Sequence, residues 1–312
     1  MTVTAPPDPG VHAAGVKRAF GQVRAVDGVS FDAPRGAVTA LIGPNGSGKT
    51  TLLLILAGLL RADEGEVLVR GLDPVRQGVA ARAVVGWMPD QFGTWDALTP
   101  VEILATFAQA HGATWPAAKA RASELLGLVH LDEFAAQPAR VLSRGQKQRL
   151  GLARALVHDP EVLLLDEPAS GLDPRSRVEL RDLLRRLAGE GKTVLVSSHV
   201  LAELEEVCDT AVFISHGRTV QPDTFAPPNS TTRGWRLSAL DVGSLRRFLT
   251  ESGIPWHEAS AATEEVVVDL TGPESAHELL RAALAADVPL DTIAPQSGRL
   301  EEAYLALDEE RR

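Results

Sequence analysis

Apolar and polar residues show two different patterns along the first 220 residues. Short apolar runs bounded by turn residues, such as AVTALI and EVLLLD, are typical of strands, and similar runs recur between residues 11 and 220. Between them lie segments whose apolar residues are three and four positions apart, which is the spacing of a helix. Buried strands that alternate with helices predict an α/β fold built on a mostly parallel sheet.

Two of the helical segments define the expected layout of the first domain. The apolar run TLLLILAGLL predicts a helix that continues through Leu60. A longer helical region is expected from about residue 95 to residue 158, where VEILATFAQAHG and AAKARASELLGLV carry the helical spacing. We therefore expect the first domain to occupy residues 11–220.

A second, smaller domain is expected after a linker. Residues 221–232 read QPDTFAPPNSTT, and their proline, serine and threonine content is typical of a connecting segment. Residues 233–312 then show strand and helix patterns in the order β-α-β-β-α-β-α. This order predicts a small α+β domain with a ferredoxin-like split β-α-β arrangement and a closing helix. That last helix could dock on its own domain through Leu300, Ala303, Tyr304 and Leu307.

Composition narrows the class of protein. A length of 312 residues suits about two domains, and the formal net charge of −10 argues against a nucleic-acid partner bound through a broad basic surface. The longest apolar run has about half the length that a membrane-spanning helix needs. Cys208 is the single cysteine, so no internal disulfide is expected, a reducing compartment fits, and a buried apolar role is predicted for the thiol.

The stretch GPNGSGKT fits the phosphate-binding pattern G-x-x-x-x-G-K-[ST]. It follows a predicted strand and precedes a predicted helix, which is the context that this pattern requires. Glycines allow backbone N–H groups to wrap phosphates, the lysine reaches the β- and γ-phosphates, and the threonine hydroxyl can hold Mg²⁺. The predicted nucleotide-binding residues are Gly43, Pro44, Asn45, Gly46, Ser47, Gly48, Lys49, Thr50 and Thr51.

Two acids end the predicted strand in EVLLLDEP. Asp166 would lie at the carboxyl edge of a central strand, where α/β sheets bind ligands, and it is a candidate Mg²⁺ ligand. Glu167 could orient the attacking water or accept its proton. Such a pair is often no more than a helix cap or a pair of solvated charges. The phosphate-binding stretch in the same chain favours the functional interpretation.

The stretch LSRGQ predicts a second anion site nearly a hundred residues after the first. Ser143 and Gln146 have the spacing of a capping box at the start of a helix. Gly145 would let a ligand approach the backbone, and Arg144 adds positive charge to the positive end of the helix dipole. An ordinary capped surface helix is the alternative.

Taken together, these motifs resemble the nucleotide-binding subunits of ATP-binding cassette (ABC) transporters over about residues 12–220. The phosphate-binding stretch, LSRGQ, LLLDEP, SGLD and SSH occur in that family's order and approximate spacing. LSRGQ is close to the family signature LSGGQ, with Arg144 in place of the first glycine. The resemblance implies a P-loop NTPase cassette with a parallel sheet core, an antiparallel β subdomain and a helical subdomain. It also implies that the chain is an ATPase that uses ATP and Mg²⁺.

The resemblance explains why one chain carries two anion sites. In the family, two cassettes pair head to tail, and the signature of one covers the ATP held by the other. Ser143, Arg144, Gly145 and Gln146 would therefore act on a nucleotide bound by a second copy or by a related cassette. The ATPase would lie on the cytoplasmic face of a membrane and drive a separate transmembrane permease subunit.

The family pattern assigns roles to three further positions and leaves one choice open. His199 in SSH matches the switch histidine at the γ-phosphate, and Asp173 in SGLD matches a loop that communicates across the dimer, although it could also cap a helix. Phe20 matches an aromatic that stacks on adenine, with a packed core residue as the alternative. In GWMPDQFG, Asp90 takes the place of the family's Q-loop glutamine and Gln91 follows, so either could face the metal.

Two weaker likenesses favour export. WDALTPVEILATFAQAHG and SGRLEEAYLAL resemble a bacterial subfamily of ABC exporters for drugs, antibiotics and lipids or polysaccharides. The alternative is a soluble ABC ATPase that acts on ribosomes or DNA. Members of that class usually carry two cassettes or long coiled-coil insertions, whereas this chain shows one cassette and an acidic balance.

Overall fold

The computed structural model describes residues 9–91, 93, 95–198, 204, 207–220, 233–259 and 265–295. These residues form two compact units, one within residues 9–220 and one within residues 233–295. The predicted switch residue His199, the predicted linker 221–232 and the predicted closing helix after residue 295 lie outside the described residues. The same holds for the contact positions Leu300, Ala303, Tyr304 and Leu307.

The first unit contains an antiparallel sheet of three strands. These strands are β1 (Val11–Phe20), β2 (Val23–Ala33) and β4 (Glu64–Val69), in the order β2-β1-β4. Both neighbouring pairs run antiparallel. This sheet is the antiparallel β subdomain that the family resemblance implies.

The central sheet of the first unit is almost entirely parallel. Its strands are β3 (Val38–Ile42), β5 (Val85–Met88), β6 (Val162–Asp166), β7 (Thr193–Ser198), β8 (Thr210–Ser215) and β9 (Arg218–Val220), in the order β5-β6-β7-β3-β8-β9. Only β9 runs antiparallel to its neighbour. Every position of β3, β6 and β7 is buried, which explains why these strands read as continuous apolar runs. The predicted parallel α/β core is confirmed.

Helices of the first unit pack on the central sheet or form a separate helical region. They are α1 (Lys49–Leu56), α2 (Gly78–Val84), α3 (Pro100–Ala110), α4 (Trp115–Leu128), α5 (Arg144–Ala155) and α6 (Pro174–Gly189). One hydrophobic cluster joins α1 to both sheets through residues such as Leu52, Val29 and Leu164. This shared core fixes the start of α1 against the carboxyl edge of the central sheet.

The element boundaries correct the sequence reading in two places. The helix expected through Leu60 ends at Leu56, because the chain turns at Gly58, whose φ is 68°. The short elements α2 and β5 were not predicted at all. Among the described residues, no helix combines the length and the apolar content that crossing a bilayer requires.

Within residues 233–259 and 265–295, the second unit forms a sheet of four strands with two helices. Its elements are β10 (Arg233–Ala239), α7 (Val242–Glu251), β11 (Trp256–Glu258), β12 (Val266–Leu270), α8 (Pro273–Ala285) and β13 (Leu290–Pro295). The strand order is β11-β12-β10-β13, with all neighbours antiparallel. Strands and helices share one core that includes Leu237, Leu249 and Leu279. This is the connectivity of a split β-α-β sheet.

Candidate ATP-binding and signature sites

A glycine-rich loop joins β3 to α1 at the carboxyl edge of the central sheet. A side-chain carbon on Gly43 would lie 2.2 Å from the carbonyl oxygen of Ile214, and one on Gly48 would lie 2.1 Å from that of Ala25. Backbone at this distance cannot yield to a methyl group, so packing alone requires glycine at both positions. Gly46 has a φ of 79° with no atom in the way, so backbone conformation favours glycine there. The amino end of α1 therefore faces any ligand that binds at the carboxyl edge of the central sheet.

Lys49 is the first residue of α1 and is 7% exposed. Its Nζ donates hydrogen bonds to the carbonyl oxygens of Gly43 (2.7 Å) and Pro44 (3.1 Å). Burial lowers the pKa of the Lys49 ammonium, while the negative charges of Glu167 and Asp166 act in the opposite direction. An ammonium inside this loop is a cation already placed for phosphate oxygens.

Asp166 ends β6 and is 2% exposed. Its Oδ2 accepts a hydrogen bond from Thr50 Oγ1 at 2.7 Å, and its Oδ1 accepts one from Ser197 Oγ at 2.5 Å. A hydroxyl and a carboxylate that meet in this way are the oxygen ligands that Mg²⁺ prefers, so the pair fits the ion. No three acidic, histidine or cysteine residues of the described part of the chain form a metal-binding group, so phosphate oxygens and water would have to complete the ion's coordination.

Glu167 adopts an unusual backbone conformation with a φ of 50°. Its N–H donates to both the carbonyl oxygen and the Oγ of Ser197, each at 3.1 Å, and its carbonyl oxygen accepts from Gln148 Nε2 at 2.9 Å. These contacts turn the chain sharply after Asp166. Sequence reasoning missed both Ser197 and Gln148, although the run TVLVSS could have suggested a serine beside Asp166, because parallel strands end together at one sheet edge.

One cavity brings most of the predicted nucleotide site together. Six loop and helix positions line it, namely Asn45, Gly46, Gly48, Lys49, Thr50 and Thr51, together with Asp90, Asp166 and Glu167. Gly43, Pro44 and Ser47 belong to the same loop behind this lining. Gln91 is exposed and is not among the lining residues. Of the two Q-loop candidates, Asp90 is therefore the one that this cavity includes.

Phe20 ends β1 and lies outside that lining. Its side chain is 48% exposed, and the Arg18 guanidinium lies 4.8 Å from the centre of its ring. The alternative of a packed core phenylalanine is therefore wrong. Cys208, by contrast, is buried with 3% exposure, as predicted for an apolar position.

The amino end of α5 carries the predicted capping box. Ser143 Oγ accepts from the Gln146 N–H at 3.2 Å, and Gln146 Oε1 accepts from the Ser143 N–H at 2.8 Å. The cavity at this helix end, which we call the signature cavity, is lined by Ser143, Arg144, Gly145 and Gln146 with Gly171 and Asp173 among others. No described residue lines both this cavity and the one at Lys49.

Gly145 lines the signature cavity and also lies against a loop of its own chain. A side-chain carbon there would lie 3.1 Å from the carbonyl oxygen of Gly171 in the same chain. The missing side chain therefore leaves room for the loop after Glu167. Arg144 contacts that loop as well, since its Nη2 donates to Ser170 Oγ at 2.8 Å.

Asp173 caps α6, as one of the two sequence interpretations proposed. Its Oδ1 accepts from the Ser176 N–H at 3.1 Å, and its Oδ2 accepts from the Ser176 hydroxyl. These bonds, first of all the one from the Ser176 hydroxyl, lower the pKa of the Asp173 carboxyl. Arg149 of α5 donates to the same Ser176 and to Glu179. The signature helix and α6 are thus linked through polar side chains.

Comparison with known proteins matches this geometry to a family. Residues 26–170 match the family model described as ABC transporter. The chain is 32% identical over 305 residues to a daunorubicin resistance ATP-binding protein of Streptomyces coeruleorubidus, with 96% of each chain covered. It is 31% identical to a linearmycin resistance ATP-binding protein of Bacillus subtilis, covering 95% of this chain and 97% of the relative. A Nod factor export ATP-binding protein of Ralstonia nicotianae is 37% identical, with 70% of each chain covered.

Solved structures support the same assignment. A dimeric ATP-binding cassette in a post-hydrolysis state, bound to ADP and Pi, is 27% identical with a TM-score of 0.63, over 68% of this chain and 97% of that one. A nucleotide-free cassette from an ABC transporter gives a TM-score of 0.61 at 25% identity, over 68% of this chain and 90% of that one. The resistance proteins match almost the whole length of the sequence. The chain therefore belongs to the ABC transporter family, as an ATP-binding subunit of the kind that hydrolyses ATP to power transport.

Proposed function

We propose that this subunit works in an exporter and hydrolyses Mg·ATP at a head-to-tail interface between two cassettes. The observation that carries this proposal is the separation of the two cavities within one chain. The first cavity holds Lys49, Thr50 and the acid pair, whereas the second holds the signature residues, and no described residue lines both. A second copy, or a related cassette, would bring the signature of one chain onto the nucleotide of the other.

Each residue of the composite site has a chemical task in this proposal. Lys49 and the amino end of α1 hold the β- and γ-phosphates. Thr50 and Asp166, with Asp90 beside them, would hold Mg²⁺, which neutralises the developing negative charge of the phosphates. Glu167 orients the attacking water and takes up its proton. Ser143 and the first amides of α5 add donors from the partner chain.

Three predicted roles complete the proposed site. His199 contacts the γ-phosphate, Phe20 stacks on adenine, and Asp173 connects the two composite sites through its loop. The exposure of Phe20 supports its role, because a ring that is 48% exposed has a face available for a base.

Export and location rest on the relatives. The proteins cited above are named for daunorubicin resistance, linearmycin resistance and Nod factor export. We infer that this chain likewise drives a separate transmembrane permease from the cytoplasmic face of a membrane. The alternative of a soluble ABC ATPase on ribosomes or DNA gains no support from these relatives.

Glu167→Gln provides the test. Without the carboxylate the attacking water loses its base, so turnover is expected to fall about 10²–10⁴-fold while ATP binding persists. Because closure needs the phosphates and reopening needs their cleavage, an ATP-bound dimer is expected to accumulate. Size-exclusion chromatography with Mg·ATP measures the dimer, and phosphate release measures turnover. The exposed Glu190→Gln at the end of α6 is the matched control and is expected to behave as the unmodified chain. A Glu167→Gln protein that turns over normally as a monomer would contradict the proposal.

A further inference from the structure

Two side chains of the signature helix contact the loop that carries Glu167 in the same chain. Arg144 and Gln148 lie four residues apart on α5 and so project from one face of the helix. Gln148 is 5% exposed, and its Nε2 donates to the carbonyl oxygen of Glu167 at 2.9 Å. Arg144 donates to Ser170 Oγ at 2.8 Å. The helix thus holds both ends of the segment 167–170.

The loop itself is a series of tight turns whose shape depends on these contacts. The N–H of Ser170 donates to the carbonyl oxygen of Glu167 at 3.0 Å, so that oxygen accepts from the loop and from α5 together. Gly171 follows with a φ of 74°, and a side-chain carbon there would lie 3.0 Å from the Arg144 stem. The Arg144 stem therefore covers Gly171 while its guanidinium binds Ser170.

Two small pockets that open towards solvent border the loop. Pro168 borders two small cavities of about 40 Å³ each, one shared with Leu172 and one with Ala169. Side chains that line such pockets have protein neighbours on only part of their surface. Directional hydrogen bonds from α5 then contribute more to the position of the loop than they would in a filled core.

We propose that Gln148 and Arg144 are positioning residues for Glu167 of their own chain, an inference that rests on the proposed role of Glu167 as the base. The signature helix then has two tasks. Its amino end covers the partner's nucleotide, and its side face sets the orientation of Glu167 in the chain to which it belongs. A displacement of α5 when the partner's nucleotide arrives is thereby passed to the base at the other composite site.

Mixed dimers separate an effect within one chain from an effect across the interface. In the first mixture, Gln148→Met chains are combined with a large excess of Glu167→Gln chains. The active composite site then takes its Glu167 and the Gln148→Met substitution from one chain and an intact signature from the other. In the second mixture, unmodified chains are combined with an excess of chains carrying both substitutions, which places Gln148→Met across the interface from the active Glu167. Unmodified chains combined with an excess of Glu167→Gln chains give the reference kcat.

Methionine has about the length of glutamine but donates no hydrogen bond. In the first mixture we expect kcat to fall about tenfold, with KM for ATP unchanged, because a buried hydrogen bond is lost without loss of phosphate contacts. In the second mixture we expect kcat within about twofold of the reference. An equal loss in both mixtures, a loss in the second alone, or no loss in either would overturn the positioning proposal. Absence of turnover from unmodified chains alone would overturn the proposed function itself.

Arg144→Gly and Ser170→Ala test the same proposal without a substitution at the buried Gln148, where a folding defect could lower kcat by itself. Arg144 is exposed, so its replacement leaves the core intact. In the first arrangement each substitution is expected to lower kcat about threefold, and the double variant is expected to lose no more than either single one. In the second arrangement Ser170→Ala, which changes no signature residue, is expected to leave kcat within about twofold of the reference. Additive losses in the first arrangement, or a loss from Ser170→Ala across the interface, would contradict a functional contact between the two residues within the chain. The exposed Gln109→Met on α3 is the matched control, and melting curves confirm that each variant is folded.

Discussion

The phosphate-binding loop and the signature stretch are both starts of helices, yet the chain builds them in opposite ways. The amino end of α1 follows Gly48 and receives no side-chain cap, whereas that of α5 is capped by Ser143 and Gln146 in both directions. Lys49 is almost buried, and Ser143 and Arg144 are exposed. Because α1 leaves its first amides to a ligand while α5 satisfies part of its own, the first is the stronger anion site. In the proposed function, nucleotide would accordingly bind at α1 first, and α5 of a partner would join afterwards.

Complementation between two inactive variants is the strongest test of this difference between α1 and α5. Lys49→Ala is expected to abolish ATP binding and to lower turnover about 10²–10³-fold, as the loss of a donor to the reacting phosphates does. Ser143→Arg is expected to keep ATP binding and to lose turnover by a similar factor, because it obstructs only the end of α5. Binding of a fluorescent nucleotide distinguishes the two variants.

A mixture of these two variants should recover activity. The Ser143→Arg chain supplies an intact loop and the Lys49→Ala chain supplies an intact signature, so each mixed dimer holds one complete site. Phosphate release above that of either parent is the expected result. A mixture as inactive as its parents, under conditions where dimers form, would contradict the assignment of the signature to a partner's nucleotide.

Replacing Gly43 or Gly145 with alanine compares the two helix starts through the free energy of unfolding. At Gly43 the new carbon would meet a backbone oxygen at 2.2 Å, so we expect the free energy of unfolding to fall by about 3 kcal/mol or more. At Gly145 the nearest atom is 3.1 Å away, and the gain in helix propensity of about 1 kcal/mol offsets most of the crowding. Urea unfolding measures both variants. Equal losses would show that the two glycines serve the same purpose.

Acid pH is expected to lower the stability of the region around α5. His158 follows α5, stacks on His111 with ring centres 3.8 Å apart, and has its Nε2 3.0 Å from the carbonyl oxygen of Val85. Burial, helped by the neighbouring His111, lowers the pKa of His158 to about 4. The unfolded chain therefore binds a proton near pH 6.5 that the folded chain binds only near pH 4. The stability contribution is complete above pH 6.5 and is lost as the pH falls towards 4, by about 2 kcal/mol once solvent screening of this half-buried ring is included.

Unfolding free energies measured between pH 7 and pH 4 test this expectation. His158→Asn removes the titrating group, so its stability should depend less steeply on pH over that range. Hydrogen exchange at pH 5 should increase in α5 more than in α1. A variant with the same pH dependence as the unmodified chain would exclude His158 as the cause.

Local motifs made half of the site predictable. The GPNGSGKT loop, the acid pair after β6 and the capping box of α5 all lie within a few residues of the elements that position them, so their chemistry can be inferred from spacing. Ser197 and Gln148 could not be found in the same way. Ser197 meets Asp166 because β6 and β7 pair in a register that places these two residues side by side. Gln148 meets Glu167 because α5 packs across a loop that lies 19 residues further along the chain.

The missed elements have a similar origin. Strand β5 is four residues long and contains glycine and tryptophan, so its own pattern is too short to identify it. Its parallel pairing with β6 is what makes it a strand. In the second unit, by contrast, the order of strands and helices was readable because all described elements except the three-residue β11 are longer than β5 and are bounded by turn residues.

The backbone of Glu167 has a consequence beyond the reaction that it serves. Its φ of 50° lies in the left-handed region, which glycine and asparagine adopt at a lower energetic cost than glutamate. A cassette in which glycine or asparagine replaced this acid would lose the proposed base and relieve this backbone conformation, and it would keep the residues of its signature. Where two related cassettes assemble, asymmetry can arise from this one position, at a cost that includes the attraction between this carboxylate and Lys49.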